Sequence, residues 1–282
     1  MLRSRPVASR RQTVLGLLLG AVAGGAASAA ALVGREARAG AARQPLLISY
    51  NDDYAPYSFV DPQLHPQRVQ GILPDLLQAL LKDLDSVRLE ALGLPWRRAQ
   101  AMVKLGQADG LCTFASDERR QYALFNELPL VELRPHLFFS ARHPQRAQLE
   151  RLRSREDLKA FHLVDQKGNQ WAEQVLADFP HVEWTMGHDA VFRMVLAARG
   201  DVHVSLSPLV TQWRLKKLAI QAQVMSIPAP YLAANVPFHL GLRQDFPGAR
   251  QILAHLDRRL AQAGSAALIE SIVRPYHSAT SS

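Results

Sequence analysis

Short apolar runs alternate with longer stretches of helical spacing along the first half of the chain. Residues 45–50 and 110–114 are apolar runs of strand length, and 87–92 alternates apolar and polar positions as a strand does. Between them, 72–84 places leucines at helical spacing and 96–105 ends before a glycine, so both segments predict helices. This order of strands and helices is typical of a mainly parallel sheet with helices on its faces.

The second half of the chain shows the same alternation. Extended segments at 128–132 and 137–140 lead into a strongly charged stretch, 142–155, which we interpret as a solvated connection. The elements predicted after it are helix 155–160, strand 161–164, helix 170–179, strand 181–184, helix 189–199, strand 202–206, an extended segment at 235–242 and helices 246–263 and 265–273. Because the two halves resemble each other in architecture, we expect two α/β lobes with a cleft between them.

Composition places the chain among soluble globular proteins, with 48% hydrophobic and 21% charged residues in 282. The formal charge of +8 and the pI near 10.0 would by themselves point to nucleic acid or an anionic membrane as partner. Residues 1–39, however, carry six Arg and one Glu, so the charge without them is +3. A mildly basic chain does not support nucleic-acid binding.

Residues 1–39 have the pattern of a signal peptide, with a basic start, an uncharged run at 12–34 and Ala37-Arg38-Ala39 at the spacing that a signal peptidase reads. Ala27-Ser28-Ala29 is a second candidate cleavage site. Arg10-Arg11 resembles a twin-arginine signal without its usual continuation, so that route and the general secretory route both stay open. An uncleaved anchor helix is the alternative, which the many Ala and Gly in the run disfavour. We predict export to the periplasm.

Cysteine and histidine usage argues against disulfide and metal sites. Cys112 is the only cysteine, so no intramolecular disulfide can form. The ten histidines show no metal-ligand spacing, and no cluster of Cys or acidic residues supports them. We therefore expect neither a metal nor a cofactor.

The stretch from Gly110 to Arg119 carries the candidate chemistry. A short apolar strand runs into a polar turn at 115–117, which delivers Arg119 to the end of the strand. Ligands of open α/β sheets sit in the crevice beyond the carboxyl ends of the strands. The planar, always-charged fork of an arginine suits a carboxylate there. Taken alone, the pattern also fits a surface arginine at the start of a helix.

In a set of ordered motifs the chain resembles the family 3 extracellular solute-binding proteins, which present polar amino acids and related solutes to ABC transporters. The motifs are Tyr54-Ala55-Pro56-Tyr57-Ser58-Phe59, Gly71 with Asp75, Trp96-Arg97-Arg98-Ala99, Leu105-Gly106-Gln107-Ala108-Asp109, Ser116-Asp117-Glu118-Arg119 with Phe125 and Pro129, and Leu158 with Gln166-Lys167-Gly168. No single motif is specific, so the resemblance rests on their order and spacing along nearly the whole mature chain. It implies the type II periplasmic-binding fold with two hinge crossings, lobe one at 45–133 plus 240–282 and lobe two at 134–239.

The resemblance also implies a ligand site between the lobes. Arg119 matches the arginine that grips the ligand's α-carboxylate, and Tyr54 matches the first-loop aromatic that packs on the ligand. Trp96 lies where the family often places a second aromatic. Asn169 and Gln170 stand in the lobe-two turn, in place of the family's Ser or Thr. Loop packing for Tyr54, a core role for Trp96 and an ordinary helix cap for Asn169 stay open as alternatives.

Two departures from the family pattern bear on the ligand. Amino-acid binders usually carry an aspartate after the strand that follows Gly200, whereas Val204-Ser205-Leu206-Ser207-Pro208 holds no carboxylate. The strand 110–114 carries Cys112 and Phe114 where Ser is frequent in the family, and we include Phe114 among the expected ligand-binding residues. Without the acid an α-amino acid loses its cation partner, so a carboxylate-bearing or otherwise anionic small solute fits better. A degenerate site is the other interpretation.

These observations predict a monomeric, non-enzymatic solute-binding protein that serves ABC transporter membrane subunits or a sensor, with no catalytic residue assigned. The alternative is a periplasmic enzyme on the same scaffold, such as a cyclohexadienyl-type dehydratase. For that chemistry His203, His188 and Glu118 are acid–base candidates by location only. A transcriptional effector domain is disfavoured by the export segment and by the absence of an upstream helix-turn-helix motif.

Overall fold

A computed structural model of the chain describes residues 43–64 and 68–281. The predicted signal peptide, 1–39, lies outside the described residues, so its cleavage and export route stay predictions. Among the residues that the structure describes, no helix has the length and apolar character needed to cross a membrane.

Lobe one is built on a sheet that joins the first strands of the chain to one of the last. Its strands are β1 (Gln44–Asn51), β5 (Val87–Leu94), β6 (Gly110–Thr113), β7 (Ala123–Phe125), β8 (Val131–Leu133) and β14 (Val236–Arg243). The hydrogen-bonded order is β5-β1-β6-β14-β7, with β8 also paired to β14. Strand β1 is parallel to β5 and β6, whereas β14 is antiparallel to β6, β7 and β8. The carboxyl ends of β1 and β6 therefore lie at one edge.

Helices cover this sheet, and a small second sheet lies beside it. The helices are α1 (Ile72–Leu81), α2 (Trp96–Lys104), α3 (Asp117–Arg120), α9 (Ala249–Leu260) and α10 (Ser265–Ser281), and the small sheet holds β2 (Asp53–Tyr54), β3 (Ser58–Val60) and β4 (Val69–Gln70). The leucine spacing of α1 is confirmed, because its apolar side chains Ile72, Leu73, Leu76, Leu77, Leu80 and Leu81 are all buried. Burying each such side chain stabilises the fold by roughly 1.5–3 kcal/mol.

Lobe two repeats the arrangement with the middle of the chain. Its sheet holds β9 (His136–Ser140), β10 (Leu163–Gln166), β11 (Val182–Thr185), β12 (Val202–Ser205) and β13 (Val224–Pro228), and its helices are α4 (Arg146–Leu149), α5 (Arg155–Leu158), α6 (Gln170–Val175), α7 (His188–Leu196) and α8 (Pro208–Lys217). The strand order is β11-β10-β12-β9-β13. Strand β10 is parallel to β11 and β12, and β9 is antiparallel to β12 and β13.

The chain crosses between the lobes twice, which confirms the two-lobed fold. It leaves lobe one between β8 and β9 and returns between β13 and β14. Leu133 at the end of β8 pairs with Val236 at the start of β14, so the two crossings run side by side. Paired crossings of this kind form a hinge between lobes. The residue limits proposed for each lobe stay a prediction.

Several elements differ from the sequence-based prediction, among them the short strands β2, β3, β4 and β7, which were not anticipated. The charged connection 142–155 contains helix α4, and Leu149 and Leu152 of this stretch are buried. Strand β13 and helix α8 were not anticipated. The apolar residues of α8 do not form one stripe, because Leu209 and Val210 pack in the core of lobe one whereas Leu215 packs in a cluster of lobe two. A helix that buries residues against two lobes lacks the one-sided pattern that predicts a helix.

Gly71 offers a test of the packing that holds α1 under the first loop. Its φ is 124°, and a Cβ at this position would lie 2.6 Å from the Tyr57 carbonyl oxygen and 2.7 Å from that of Pro56. We expect Gly71→Ala to lower the free energy of unfolding by about 2–4 kcal/mol, since backbone strain and overpacking add. Urea denaturation followed by circular dichroism measures the loss.

Gly187→Ala is the matched control. Gly187 also precedes a helix with positive φ, 83°, but a Cβ there meets nothing within 4 Å. We expect this variant to lose only about 1 kcal/mol, the conformational part. Equal losses in the two variants would contradict the steric account.

Candidate functional site

A cavity of about 200 Å³ lies where the carboxyl ends of strands from the two lobes face each other. Its walls include Asn51 at the end of β1, Thr113 and Phe114 at the end of β6, Gln166 at the end of β10, and Ser205 and Leu206 at the end of β12. This is the position where open α/β sheets bind ligands. All six residues predicted to bind ligand also line it: Tyr54, Trp96, Phe114, Arg119, Asn169 and Gln170.

Arg119 lies in the one-turn helix α3 and is only 2% exposed. The Ser116 hydroxyl caps this helix by accepting from the Arg119 backbone N–H at 3.4 Å. The guanidinium donates from Nε to Gln100 Oε1 at 3.1 Å, from Nη1 to the Phe114 carbonyl oxygen at 3.2 Å, and from Nη2 to Gln170 Oε1 at 3.1 Å. A surface position for Arg119, the alternative left open by the sequence, is therefore wrong.

The positive charge of Arg119 has aromatic neighbours and no anionic partner. Its Cζ lies 4.3 Å from the centroid of the Phe114 ring and 5.5 Å from that of Trp96. Burial lowers the pKa of the guanidinium from its ordinary value, and Tyr122 and Glu118 oppose that shift. Within residues 43–64 and 68–281, Arg119 makes no salt bridge with a carboxylate. The charge is thus buried with neutral hydrogen-bond acceptors and without a salt bridge, and the Glu118 carboxylate acts on it only through space.

The Tyr54 ring both packs in the loop and lines the cavity. It stacks on Tyr57 at a centroid distance of 5.6 Å and on Phe238 at 6.3 Å. Burial raises the pKa of its phenol, so the hydroxyl stays protonated. Packing and ligand contact are therefore compatible roles for this residue.

Asn169 and Gln170 bring the first turn of α6 to the cavity. Asn169 Oδ1 accepts from the Ala172 backbone N–H at 3.4 Å, which is the ordinary helix cap. Asn169 Nδ2 donates to Asp165 Oδ1 at 3.0 Å. Gln170 instead reaches across the cleft to Arg119, so a hydrogen bond joins the lobes at the centre of the site.

Several polar residues of the site were missed by the sequence analysis, and two of them make hydrogen bonds that matter for its geometry. Gln100 lies one turn into α2, and its amide oxygen accepts from Arg119. Arg214 lies on α8 and lines the cavity, and its Nη2 donates to the Asp53 carbonyl oxygen at 2.7 Å and to Asp53 Oδ2 at 3.1 Å. Because the sequence pattern did not predict helix α8, Arg214 could not be proposed as a site residue. Gln100 could have been proposed, since it lies one turn after Trp96 on the same helix.

The end of β12 holds hydroxyls rather than the acid of amino-acid binders. Ser205 Oγ donates to the Ser207 carbonyl oxygen at 3.0 Å and accepts from Thr211 Oγ1 at 2.8 Å. The carboxylate of this wall is Asp165, one strand away on β10 and 0% exposed. His203 on β12 stands between Asp165 and the cavity, with Nδ1 3.3 Å from Asp165 Oδ2.

Of the acid–base candidates, two histidines reach the cavity and Glu118 does not. His188 and His203 both line it, with ring centroids 6.3 Å apart. Glu118 is exposed on α3 and is not among the cavity walls. Burial, followed by the charges of Arg214 and His203, lowers the pKa of His188 well below its ordinary value. Across the described part of the chain, no three His, Cys, Asp or Glu residues are grouped to hold a metal ion.

Comparison with known proteins agrees with this geometry. The sequence matches the profile of the bacterial extracellular solute-binding proteins, family 3, over residues 46–270. No curated protein matches the chain in sequence.

Solved structures with low sequence identity share the fold. An amino-acid ABC transporter substrate-binding protein from Streptococcus pneumoniae bound to L-arginine is 15% identical, with 84% of this chain and 95% of that chain covered and a TM-score of 0.63. A histidine kinase sensor domain is 18% identical over 83% and 96%, with a TM-score of 0.62. An ancestral amino-acid-binding protein, a precursor of cyclohexadienyl dehydratase, is 19% identical over 89% and 99%, with a TM-score of 0.62.

The depressed pKa of His188 makes stability depend on pH. The unfolded chain, in which the histidine pKa is about 6.5, binds more protons than the folded chain below that pH. The His188 contribution is therefore complete above pH 6.5 and is lost as the pH falls towards the folded-state pKa. We expect His188→Gln to flatten the decline of unfolding free energy between pH 6.5 and 5 by up to about 1.4 kcal/mol per pH unit.

Urea denaturation at stepped pH measures this slope. His181→Gln is the control, because His181 is an exposed histidine that precedes β11 and is remote from the cavity walls. The control should keep the wild-type slope. A wild-type slope in His188→Gln as well would refute the assignment.

Proposed function

Because the chain belongs to the bacterial extracellular solute-binding proteins of family 3, we propose that it captures a small carboxylate-bearing solute between its lobes. The solute is an amino acid or a related organic anion, and Arg119 binds its carboxylate. The protein delivers this solute to an ABC transporter or a sensor in the periplasm and does not convert it. Residues 1–39 direct the export, and no metal or cofactor takes part.

The observation that carries the proposal is a buried guanidinium without a counter-ion. Removing a charge from water costs several kcal/mol unless an opposite charge or good hydrogen bonds offset the loss. The acceptors that Arg119 has, Gln100, Gln170 and the Phe114 carbonyl, are all neutral. A ligand carboxylate would replace the two amide oxygens with charge-assisted hydrogen bonds, each contributing about 1.5–3 kcal/mol.

The aromatic residues support this role because they surround the guanidinium of Arg119 with apolar rings. Phe114 and Trp96 cover the guanidinium, and Tyr54 contributes a further ring to the wall. Rings in these positions exclude water, which strengthens an ion pair between Arg119 and a carboxylate. They also offer apolar contact to the carbon skeleton of the solute.

The hydrogen bond between Arg119 and Gln170 indicates how the two lobes would hold a ligand between them. Gln170 Oε1 occupies a position beside Nη2 that one oxygen of a bound carboxylate would take. On ligand entry the Gln170 and Asn169 turn would hold the solute from lobe two, while the paired crossings act as the hinge. The hydrogen bonds between Arg214 and Asp53 link the same two lobes at the rim.

The family of this chain and the solved structures that share its fold both support a role in delivery of the solute. One solved neighbour is a binding protein of an amino-acid ABC transporter and another is a sensor domain of a histidine kinase. We propose this role, as a monomer, for the present chain.

Removal of the Arg119 guanidinium tests the carboxylate site. A thermal-shift screen of amino acids, organic acids and polyamines should find a stabilising carboxylate, which at 100 times its Kd adds about 2.7 kcal/mol, or about 5–10 °C in Tm. Arg119→Gln should abolish this shift, and Arg119→Lys should retain part of it, because the charge stays while the planar fork is lost.

Arg120→Gln is the matched control, since Arg120 is exposed on the same helical turn and packs over Phe125 outside the cavity. It should bind as the wild type does. Undiminished binding by Arg119→Gln, or stabilisation by polyamines alone, would contradict the proposal.

An assay for turnover distinguishes a binding protein from an enzyme with the same fold. The dehydratase alternative requires a placed acid or base, and only His188 and His203 reach the cavity among the candidates. We expect purified protein incubated with cyclic prephenate-like or arogenate-like substrates to form no aromatic product, as followed by ultraviolet absorbance. Product formation that His203→Phe abolishes would establish the enzyme instead.

A further inference from the structure

Two arginines are the permanently charged residues that line the cavity. Arg119 reaches it from lobe one, and Arg214 reaches it from α8. No Asp or Glu is found among the described residues of its walls. The side chains that surround a solute in this cavity therefore carry positive charge and no negative charge of their own.

The guanidinium of Arg214 holds a buried donor without an acceptor. The side chain is 14% exposed, and its Nε–H makes no hydrogen bond within the described residues. Its Nη2 donates to the carbonyl and carboxylate oxygens of Asp53 at the rim, but the Asp53 side chain is 76% exposed. An ion pair with a carboxylate in water offsets the charge of a buried cation only in part.

Helix α8 presents this side chain to the cavity. Val210, Thr211 and Arg214 are three or four residues apart, so they share one face of the helix, and all three line the cavity. The charge of Arg214 acts on two further wall residues. After burial it is the next cause that lowers the pKa of His188, and it opposes the rise that burial gives to the pKa of Tyr54. Arg214 therefore contributes its positive charge to the cavity itself.

The surroundings of the two arginines do not overlap. The hydrogen-bond and ring partners of Arg119 lie on α2, on α6 and at the end of β6. The groups around Arg214 lie on β2 and α7. Like charges repel each other, and two cations that share no neighbour are kept apart along the cavity. An elongated solute can contact both.

Other polar groups near the cavity do not cancel this positive charge. Asp165 does not line the cavity, and its Oδ2 lies 3.3 Å from Nδ1 of His203, which stands in front of it. Gln166 has a buried Oε1 without a partner in the described part of the chain. That amide is neutral, and it carries donors as well as an acceptor. The cavity thus has an excess of positive charge that a single carboxylate leaves partly unbalanced.

We infer that the solute carries two acid groups, one bound by Arg119 from lobe one and the other by Arg214 from lobe two. Its class is an organic dicarboxylate without an ammonium group, because no carboxylate among the described wall residues can pair with an ammonium. Arg214 Nε donates to the second acid group, which makes Arg214 a specificity-determining residue. This inference rests on the proposed function, because it takes Arg119 as the site of the first carboxylate.

Matched acids test the inference on the full mature protein. We would measure Kd by titration calorimetry at neutral pH and constant ionic strength for sets of four, five and six carbons. Each set holds the unsubstituted dicarboxylate, its 2-amino derivative, the unsubstituted monocarboxylate and the 2-amino monocarboxylate. In at least one set the unsubstituted dicarboxylate should bind at least ten-fold more tightly than both monocarboxylates and at least as tightly as its 2-amino derivative.

The failures of the two proposals are distinguishable. If the acids bind and depend on Arg119, but no set shows this order of affinities, the inference is overturned and the proposed function stands. If no acid binds, or if Arg119→Gln leaves their binding unchanged, both are overturned.

Variants of Arg214 assign the preference to this residue. Arg214→Gln should reduce the ten-fold preference for the dicarboxylate to less than three-fold and leave the Kd of the monocarboxylate unchanged. Arg214→Lys should retain part of the preference, because the charge stays while the planar fork is lost. It also keeps the test available if Arg214→Gln does not fold. A merely structural role would weaken all the acids equally and leave the ratio of their Kd values unchanged, which would overturn the assignment.

Asp53→Asn separates ligand binding from the link between the lobes. This variant removes the carboxylate that pairs with Arg214 at the rim and keeps the arginine. The preference for the dicarboxylate should stay at ten-fold or rise, since the charge of Arg214 is then less compensated. Loss of the preference in Asp53→Asn would show that Arg214 acts through the ion pair at the rim, and the inference would be wrong.

Arg193→Gln is the control for a general effect of charge. Arg193 is exposed on α7 and lines a neighbouring cleft at the rim, together with Arg214, but it does not line the cavity. Its removal should leave the ratio of Kd values as in the wild type. A decrease as large as that in Arg214→Gln would mean that the overall charge of this region sets the preference, and it would overturn the assignment of Arg214.

Discussion

The burial of one guanidinium against neutral acceptors constrains the centre of this protein. Arg119 is 2% exposed, yet its partners Gln100 and Gln170 carry no charge. To keep a cation there, the fold supplies the Ser116 cap, the aromatic rings of α2 and β6 and an amide from the opposite lobe. This arrangement leaves positive charge uncompensated where the two lobes meet. Under the proposed function, a small anion bound in the cavity would contact both lobes.

Lobe two holds one buried carboxylate near the cavity, on the strand beside β12. Absence of an acid after β12 suggested a site without a partner for a ligand cation, but the negative charge of Asp165 lies one strand away, behind His203. Strands β10 and β12 are parallel neighbours, so residues near their carboxyl ends lie side by side.

The lobes are connected by two adjacent chain crossings and by specific side-chain contacts. The crossings at β8 and β14 run side by side, which permits rotation of the lobes about them. Helix α8 packs in the cores of both lobes and carries Arg214 to Asp53, while Gln170 reaches Arg119. Opening the cleft must break these polar links. In this structure the two lobes therefore touch each other, and the contacts include hydrogen bonds at the cavity and at its rim.

Local pattern in the sequence determined most of the longer elements and the position of Arg119 at the end of a strand. The leucines of α1, the apolar run of β6 and the turn before Arg119 depend on neighbours within a few residues, so periodicity and turn chemistry reveal them. The family resemblance pointed to five further residues, all of which line the cavity, although their contact with a ligand stays a prediction. Only the tertiary structure decided that Arg119 is buried without a counter-ion, that Asp165 stands behind His203 and that α8 joins the lobes. Arg119 and Gln170 are 51 residues apart, and Asp53 and Arg214 are 161 apart. Contacts over such separations depend on how the sheets assemble around the hinge, which no local pattern records.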